Sequence, residues 1–361
     1  MSARFNLFTE NAMCEVETLC PECELPFDTE LPRRGFLQAM SAGAAAALAG
    51  GTAASSALAF DEKAPAERGT PKPAESLIKE LHASLNDEQK KTLVLPWNHG
   101  ADGKPSRHGM YNRPFQNQRI GDVYSKPQTE LVDRILHAIC NGEEGYRQIT
   151  RAGKFDSSQS LVGCGAHIFG TPGDDTKFAW MFSGHHLTVR CDGNSEPGAA
   201  FGGPMYYGHT AKGDSTGNVY HFQTRRVQEL FESLDAEQQA QAVASGNTEG
   251  ADSVRFRAAD AKLPGISAGS LSSDQKDLAG RVMQDLVAPF RKEDGEEVME
   301  IVKKNGGMDQ VHLSYYKDAS SKDGDVKWHS WRVEGPGFVW NFRVLPHVHC
   351  FVNISSEFKT A

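Results

Sequence analysis

Two short stretches bring histidines together. One is Ser183-Gly184-His185-His186-Leu187 and the other is Leu345-Pro346-His347-Val348-His349-Cys350. Neutral imidazole is the commonest protein ligand for zinc and copper, and a catalytic metal site takes three protein ligands and keeps one position open. In a strand, residues i and i+2 share a face and lie about 7 Å apart, so His347 and His349 are placed to reach one ion. Alternation along this stretch separates two faces. The even positions Trp340, Phe342, Val344, Pro346, Val348, Cys350, Val352 and Ile354 read as the core face. The odd positions Asn341, Arg343, Leu345, His347, His349, Phe351 and Asn353 read as the polar face. Along the other stretch, Met181, His185, Leu187, Val189 and Cys191 read as buried, and His186, Thr188 and Arg190 as polar. His186 is therefore the expected third ligand. His185 ranks below it, because a strand points neighbours to opposite faces unless Gly184 opens a bulge. His209, in Tyr206-Tyr207-Gly208-His209, is a loop candidate for a fourth. The expected ion is copper or zinc. Two plainer readings stand beside it: a metal-free polar pocket, or rings that hydrogen-bond only to backbone and neighbours.

Arg332 and Glu334 share one face of a strand and are the candidate catalytic pair, as substrate clamp and general base. The plainer reading is a surface ion pair. Other chemistry has little to stand on. There is no G-x-S-x-G elbow and no P-loop, and Gly163-x-Gly165 lacks the third glycine and following helix of a dinucleotide site. Cys350 points to the core face, where a buried thiol or a disulfide is expected.

The elements that must position these residues alternate in kind. Leu77, Ile78, Leu81 and Leu85 recur at helical spacing, and Asn86 caps a second short helix. Residues 96–126 are polar and loop-like. Leu131, Ile135, Leu136 and Ile139 mark another helix, with Asn141-Gly142 as its stop. From Ser160 the pattern turns to strand: Ser160–Gly170, then Lys177–Cys191, with Pro172-Gly173-Asp174 between. Val227, Leu230, Phe231 and Leu234 give a helix. Ser272 and Gln275 form a capping box ahead of Leu278, Val282 and Leu286. Glu296–Lys304 is helical. Val311–Tyr316, Val326–Glu334 and Phe338–Asn353 read as strands, with Gly335-Pro336-Gly337 a tight hairpin. The expected class is α+β, an antiparallel sheet built from two distant strand regions and packed with amphipathic helices.

The chain has 361 residues, with 38 Lys+Arg against 47 Asp+Glu, a net charge of −9, 39% apolar and 24% charged residues. This excludes a wholly disordered or fibrous chain. No Lys/Arg run offers a phosphate-binding stripe, so nucleic acid is not an expected partner. Near the N-terminus Arg33-Arg34 is followed by Phe36-Leu37, a weakly apolar Ala/Gly stretch, and the small-x-small triplet Ala57-Leu58-Ala59. This resembles a twin-arginine export signal cut after Ala59, with the twin-arginine machinery as partner and a periplasmic or extracellular destination. That route carries folded proteins, often ones holding a cofactor. Ser41, Thr52, Ser55 and Ser56 interrupt the segment, so a stable membrane span is not expected. Ahead of it lie Cys14, Cys20 and Cys23. A single C-x-x-C with a third cysteine falls short of a zinc framework and reads as an extended signal n-region or a stretch ahead of the true start. The expected organisation is a pre-segment and signal at 1–59, a flexible lead-in at 60–73, and a single α+β domain at 74–361. Beyond residue 59 remain 35 basic and 40 acidic residues, all 13 histidines, and Cys140, Cys164, Cys191 and Cys350. Four cysteines allow three pairings, and the sequence does not choose among them.

Several of these motifs resemble, in combination, the family called domain of unknown function 3500. They are Gly184-His-His-Leu-Thr-Val189, Gly203-Pro204 with aromatics and Gly208 after it, Arg332-Val-Glu-Gly-Pro336, and His347-x-His349. Ser84-Leu-Asn-Asp-Glu-Gln89 is similar to its opening segment and Phe231-x-x-Leu234-x-x-Glu237-Gln238 to its middle helix. The resemblance runs from about residue 75 to 355 and brings no catalytic residue with it. The expected function is that of an exported protein with a His-lined copper or zinc site, whose ion activates water or oxygen at an open position. The alternative is a non-catalytic periplasmic binding protein for a metal or a small anionic ligand, the anion held by Arg332 or Arg343.

Overall fold

A computed structural model describes residues 73–100, 105–246, 248, 253–257, 261–317 and 328–357. The residues of the export motif (Arg33, Arg34, Ala57, Ala59), the lead-in up to residue 72 and Cys14, Cys20 and Cys23 lie outside the described residues.

The helical spacings become helices. α1 (Ala74–Ser84) buries Leu77, Ile78 and Leu81, and α2 (Asp87–Leu93) is closed by a reciprocal cap. There the Asn86 side chain accepts from the Gln89 N–H and the Gln89 side chain accepts from the Asn86 N–H. After a short α3 (Ile120–Val123), α4 (Lys126–Ala138) packs Leu131, Val132, Ile135 and Leu136 into the core and rests on α1. Asn141-Gly142 does more than stop a helix. Asn141 is the N-cap of α5 (Gly142–Ile149), and Gly142 adopts a positive φ of 59° at the junction. Later come α6 (His221–Ser233), α7 (Ala236–Ala242), α8 (Ser273–Val287) and α9 (Lys292–Lys304), with the Ser272/Gln275 capping box in place on α8.

The strands form one large, mostly antiparallel sheet, so the class is α+β. Its members are β1 (Val94–Leu95), β2 (Gly165–Gly170), β3 (Phe178–Gly184), β4 (Leu187–Cys191), β5 (Met205–Lys212), β6 (Val243–Ala244), β7 (Ile266–Ser267), β8 (His312–Tyr316), β9 (Ser330–Gly335), β10 (Phe338–Arg343) and β11 (His347–Ile354). The spatial order is β1-β2-β3-β4-β5-β11-β10-β9-β8-β6, with β7 also on β8. Among the described residues only β1/β2 and β6/β8 run parallel. The pairing of β5 with β11 places the two histidine stretches beside each other.

Two segments that read as single strands are hairpins. Lys177–Cys191 folds back at His185-His186, and Phe338–Asn353 folds back at Val344-Leu345-Pro346. In the second hairpin Arg343 faces His349 and Phe342 faces Cys350, so odd lies opposite odd and the alternation survives the turn. In the first, Met181 faces Arg190 and Ser183 faces Thr188, so odd lies opposite even. Met181 therefore shares its face with Thr188 and Arg190, not with Leu187 and Val189.

The face carrying Trp340, Phe342, Tyr207 and Cys350 is the core, packed against helices. Trp340 donates to the Tyr207 hydroxyl, Tyr207 to Gln223 on α6, and Tyr315 to the Val227 carbonyl. The opposite face is polar yet also buried, because loop backbone roofs it. On β4, Arg190 donates to the carbonyls of Arg107 and Gly109, and the Thr188 hydroxyl accepts from the Tyr111 N–H at 2.7 Å. On β9–β11, Asn341, Arg332 and Asn353 donate to the carbonyls of Thr248, Arg255 and Val254. The polar alternation is thus a hydrogen-bonding face that satisfies buried loop carbonyls and amides. Cys140, Cys164, Cys191 and Cys350 are free, buried thiols. Among the described residues no helix is long and apolar enough to cross a membrane.

Candidate metal centre

His186 owes its position to a two-residue turn. His185 and His186 link β3 to β4, and His186 takes a left-handed φ of 52°. That conformation is costly for a residue with a Cβ. It is held by the Asn112 side chain, which accepts from the His186 N–H at 2.7 Å. The turn lies over β5, where residue 208 is glycine. A Cβ at Gly208 would stand 2.3 Å from the Val348 carbonyl oxygen and 3.2 Å from the His186 Cβ. Gly208 pairs directly with His349. The missing side chain leaves the gap through which the turn histidine reaches the strand histidine.

Three rings meet there. His349 Nε2 lies 3.2 Å from His186 Nε2, across 163 residues of chain, and 3.0 Å from His347 Nε2. The three ligand nitrogens all lie within 4.8 Å of one another, and the group can hold a metal ion. Metal–nitrogen bonds of about 2.0–2.1 Å set tetrahedral ligand atoms about 3.3 Å apart, close to the spacing seen. Burial pushes the His186 and His349 rings well below the ordinary imidazole value of 6.5, against the Asp156 carboxylate for His186 and with Arg343 and His347 adding to it for His349. Both rings are therefore neutral at pH 7, the form that binds metal.

The proton inventory is informative. Asp156 accepts from His186 Nδ1 at 3.0 Å and from His209 Nδ1 at 2.8 Å. Burial raises the Asp156 pKa, but Arg151 and the two imidazole hydrogen bonds outweigh it and hold the carboxyl well below the usual carboxylate range. An ionised Asp156 obliges His186 Nδ1 to carry the proton, so His186 Nε2 presents a lone pair. Arg343 has only donors, and its Nη2 lies 3.3 Å from His347 Nε2, which therefore also presents a lone pair. In the metal-free cluster His347 Nε2 is met by Arg343, and a proton on His349 Nε2 serves the His186 Nε2 lone pair. A cation among the three nitrogens would replace these hydrogen bonds with ligand bonds.

His185 and His209 sit elsewhere. The His185 ring packs on His186 with centroids 3.9 Å apart and accepts from the Ser157 N–H at 3.3 Å. Burial pushes its pKa down to about 4. With Asp156 and His186 it forms a second cluster of potential ligand atoms, but Arg151 stands 3.7 Å from Asp156 in that cluster and opposes a further cation there. His209 lies within β5, not in a loop. It is turned to Asp156 and is outside the three-nitrogen group. Arg332 and Glu334 form a pair at 3.0 Å, only 2% and 1% exposed, with Arg257 also 3.2 Å from Glu334. They are buried beneath the 253–257 segment and not at the surface. Arg332 faces Asn341, which faces Phe351, so the pair stands two strands away from His349.

Asp156 and Arg151 carry no signal in the sequence. Lys154-Phe155-Asp156-Ser157 has no periodicity, and its role arises from a run of left-handed residues: Arg151 (φ 53°), Ala152 (57°), Phe155 (52°) and Asp156 (46°). Strain of this kind gathers where side chains must be aimed. Here it carries Asp156 to His186, His209 and the Thr210 N–H together.

No curated protein and no solved structure matches the chain. Residues 69–354, which include every residue of the histidine cluster and its hydrogen-bonding support, match the family described as Protein of unknown function (DUF3500), and the chain belongs to that family.

Proposed function

We propose that this protein holds one zinc or copper ion on His186, His347 and His349 and uses the ion's open position on a small molecule, as a metal-dependent enzyme. The observation that carries this reading is His349 Nε2 within 3.0 and 3.2 Å of His347 Nε2 and His186 Nε2, with Asp156 on the far nitrogen of the His186 ring so that its Nε2 lone pair is turned to the other two. Three imidazoles without a thiolate suit either metal. At an open position such an ion polarises a bound oxygen, while Asp156 keeps the His186 ring in one tautomer and Gly208 leaves room for it.

Export by the twin-arginine route is part of the proposal and rests on the Arg33-Arg34-Gly-Phe-Leu pattern. Residues 1–59 then act as the address, 60–73 as a tether and 74–361 as the folded domain. A fusion of residues 1–59 to a reporter tests this, with export expected for the native pair and lost in Arg33→Lys/Arg34→Lys.

Metal analysis tests the site. Chelator-stripped protein is titrated with zinc or copper(I/II). One equivalent and a rise in Tm on the order of 5 °C at saturating metal are expected, since a ligand at about 100 Kd adds about 2.7 kcal/mol. Binding far below one equivalent with an unmoved Tm defeats the reading.

A further inference from the structure

We propose that Tyr206 is a positioning residue of this centre, whose ring holds His186 and His349 edge-on at the spacing an ion needs before the ion arrives. This rests on the three histidines being ion ligands and adds the side chain that prepares them. Tyr206 stands on β5, between the strands that carry the two histidine stretches. It pairs with Thr188 of β4 on one side and with Phe351 of β11 on the other. Its ring meets the His349 ring at a centroid distance of 5.6 Å and an angle of 83°, and the His186 ring at 6.2 Å and 80°. Both contacts are T-shaped, an arrangement that ring pairs favour at about 4.5–7 Å. Two places along the same face is Gly208, the gap beneath His186. β5 thus offers the histidines a ring beside a gap.

The Tyr206 ring is itself held. It stacks on Phe351 at 4.9 Å with 20° between the planes, and Phe351 stands edge-on to His349 at 6.3 Å and 90°. Both aromatic residues are buried, like the ligands they touch. The need for such a wall lies in the imidazole torsions. A histidine ring turns about its last side-chain bond with only a broad, two-fold preference. Asp156 fixes one nitrogen of His186 from a loop, and Tyr206 fixes the plane of the same ring from the sheet. For His349 the ring contacts with Tyr206 and Phe351 do the same work. Without the Tyr206 ring both imidazoles gain rotation that a bound ion must then remove, so metal affinity falls.

The test uses cobalt(II) in place of the native ion, because its visible absorption reports both occupancy and coordination geometry. Stripped protein is titrated with cobalt in the native chain, in Tyr206→Phe, which keeps the ring, and in Tyr206→Leu, which removes it. Phe231→Leu serves as the control for lost packing alone, because that buried ring lies on the core face against Tyr315. Native affinity and spectrum in Tyr206→Phe and Phe231→Leu, with about tenfold or more weaker binding and an altered spectrum in Tyr206→Leu, support the positioning role. Native affinity and spectrum in Tyr206→Leu overturn it while leaving the metal site standing. So does an equal loss in Tyr206→Phe, which assigns the effect to the hydroxyl, or an equal loss in Phe231→Leu, which assigns it to stability. Should Tyr206→Leu fail to fold, Phe351→Leu decides, since it unstacks Tyr206: weaker cobalt binding supports the role and native binding overturns it. No cobalt spectrum in the native chain removes the metal reading itself, and the role of Tyr206 with it.

Discussion

Gly208 lies opposite His349 in the β5–β11 pair and beneath His186, whose Cβ would be only 3.2 Å from a Cβ on residue 208. One absent methyl group therefore lets a turn histidine and a strand histidine share a point in space. Gly208→Ala should weaken zinc binding at least tenfold, on the order of 1.4 kcal/mol, by parting β5 from β11 at the Val348 carbonyl, 2.3 Å from such a Cβ, and pressing on the β3–β4 turn. Competition with a chromophoric chelator measures this. An unchanged affinity would show that the turn does not need the gap.

Removing ring nitrogens separates ligands from bystanders. His186→Gln, His347→Gln and His349→Gln should each abolish stoichiometric binding at micromolar zinc. His209→Gln, whose ring is committed to Asp156, should stay within about tenfold of the native affinity, as expected for a change outside the coordination sphere. If His209→Gln loses metal as fully as His349→Gln does, the ligand set is wrong.

Asp156 ties His186 to the rest of the fold. Asp156→Asn keeps an acceptor for His186 Nδ1 but not the charge that faces Arg151. Metal affinity should fall roughly 10–100-fold, as for other partners of ligating histidines. The metal-free protein should also lose about 3–5 kcal/mol of stability, since Arg151 is 1% exposed and would be left as an uncompensated buried charge. Urea unfolding of stripped protein separates the two effects, and a variant equally stable and equally avid for zinc refutes both.

His167 supplies a pH dependence away from the centre. It is fully buried on β2, with Nε2 3.0 Å from the Gln118 side-chain oxygen and its ring edge-on to Phe115. Burial, helped by His99, pushes its pKa down from 6.5 to about 4. The unfolded chain takes up this proton first as pH falls, so the stability present above pH 6.5 is lost between 6.5 and 4. From pH 7 to 5 this one group should remove about 2 kcal/mol. Urea midpoints for the native chain and His167→Asn at both pH values check it. The variant starts lower, having lost a packed ring, but should lose less on acidification. An identical loss in both would exonerate His167.

Much of the local structure was legible before any coordinates. The spacing of Leu77, Ile78 and Leu81, the caps at Asn86 and Ser272, the Pro336-Gly337 hairpin and the shared face of His347 and His349 all follow from rules that act within a few residues. The strand alternation misled where a turn was hidden in it. Gly-His-His-Leu looks like strand because its residues are β-compatible, and only the left-handed φ of His186 makes it a turn. The apparent solvent face misled for another reason. Whether a polar face meets water or a loop depends on distant chain, and here residues 105–118 and 253–257 supply the roof, so Arg332 and Glu334 are buried partners and not surface ones.

By itself the sequence determined which side chains are made for one another's company: imidazoles in two clusters, a glycine near one of them, and the motifs that place the chain in its family. It could not determine that the clusters meet. That depends on β5 pairing with β11 across more than a hundred residues, a non-local contact whose register is set by the burial of the entire opposite face. Nor could it show Asp156, whose place behind His186 comes from a strained loop stabilised only by the tertiary contacts around it. Local rules shape the pieces, and long-range packing energy decides which nitrogens share an ion.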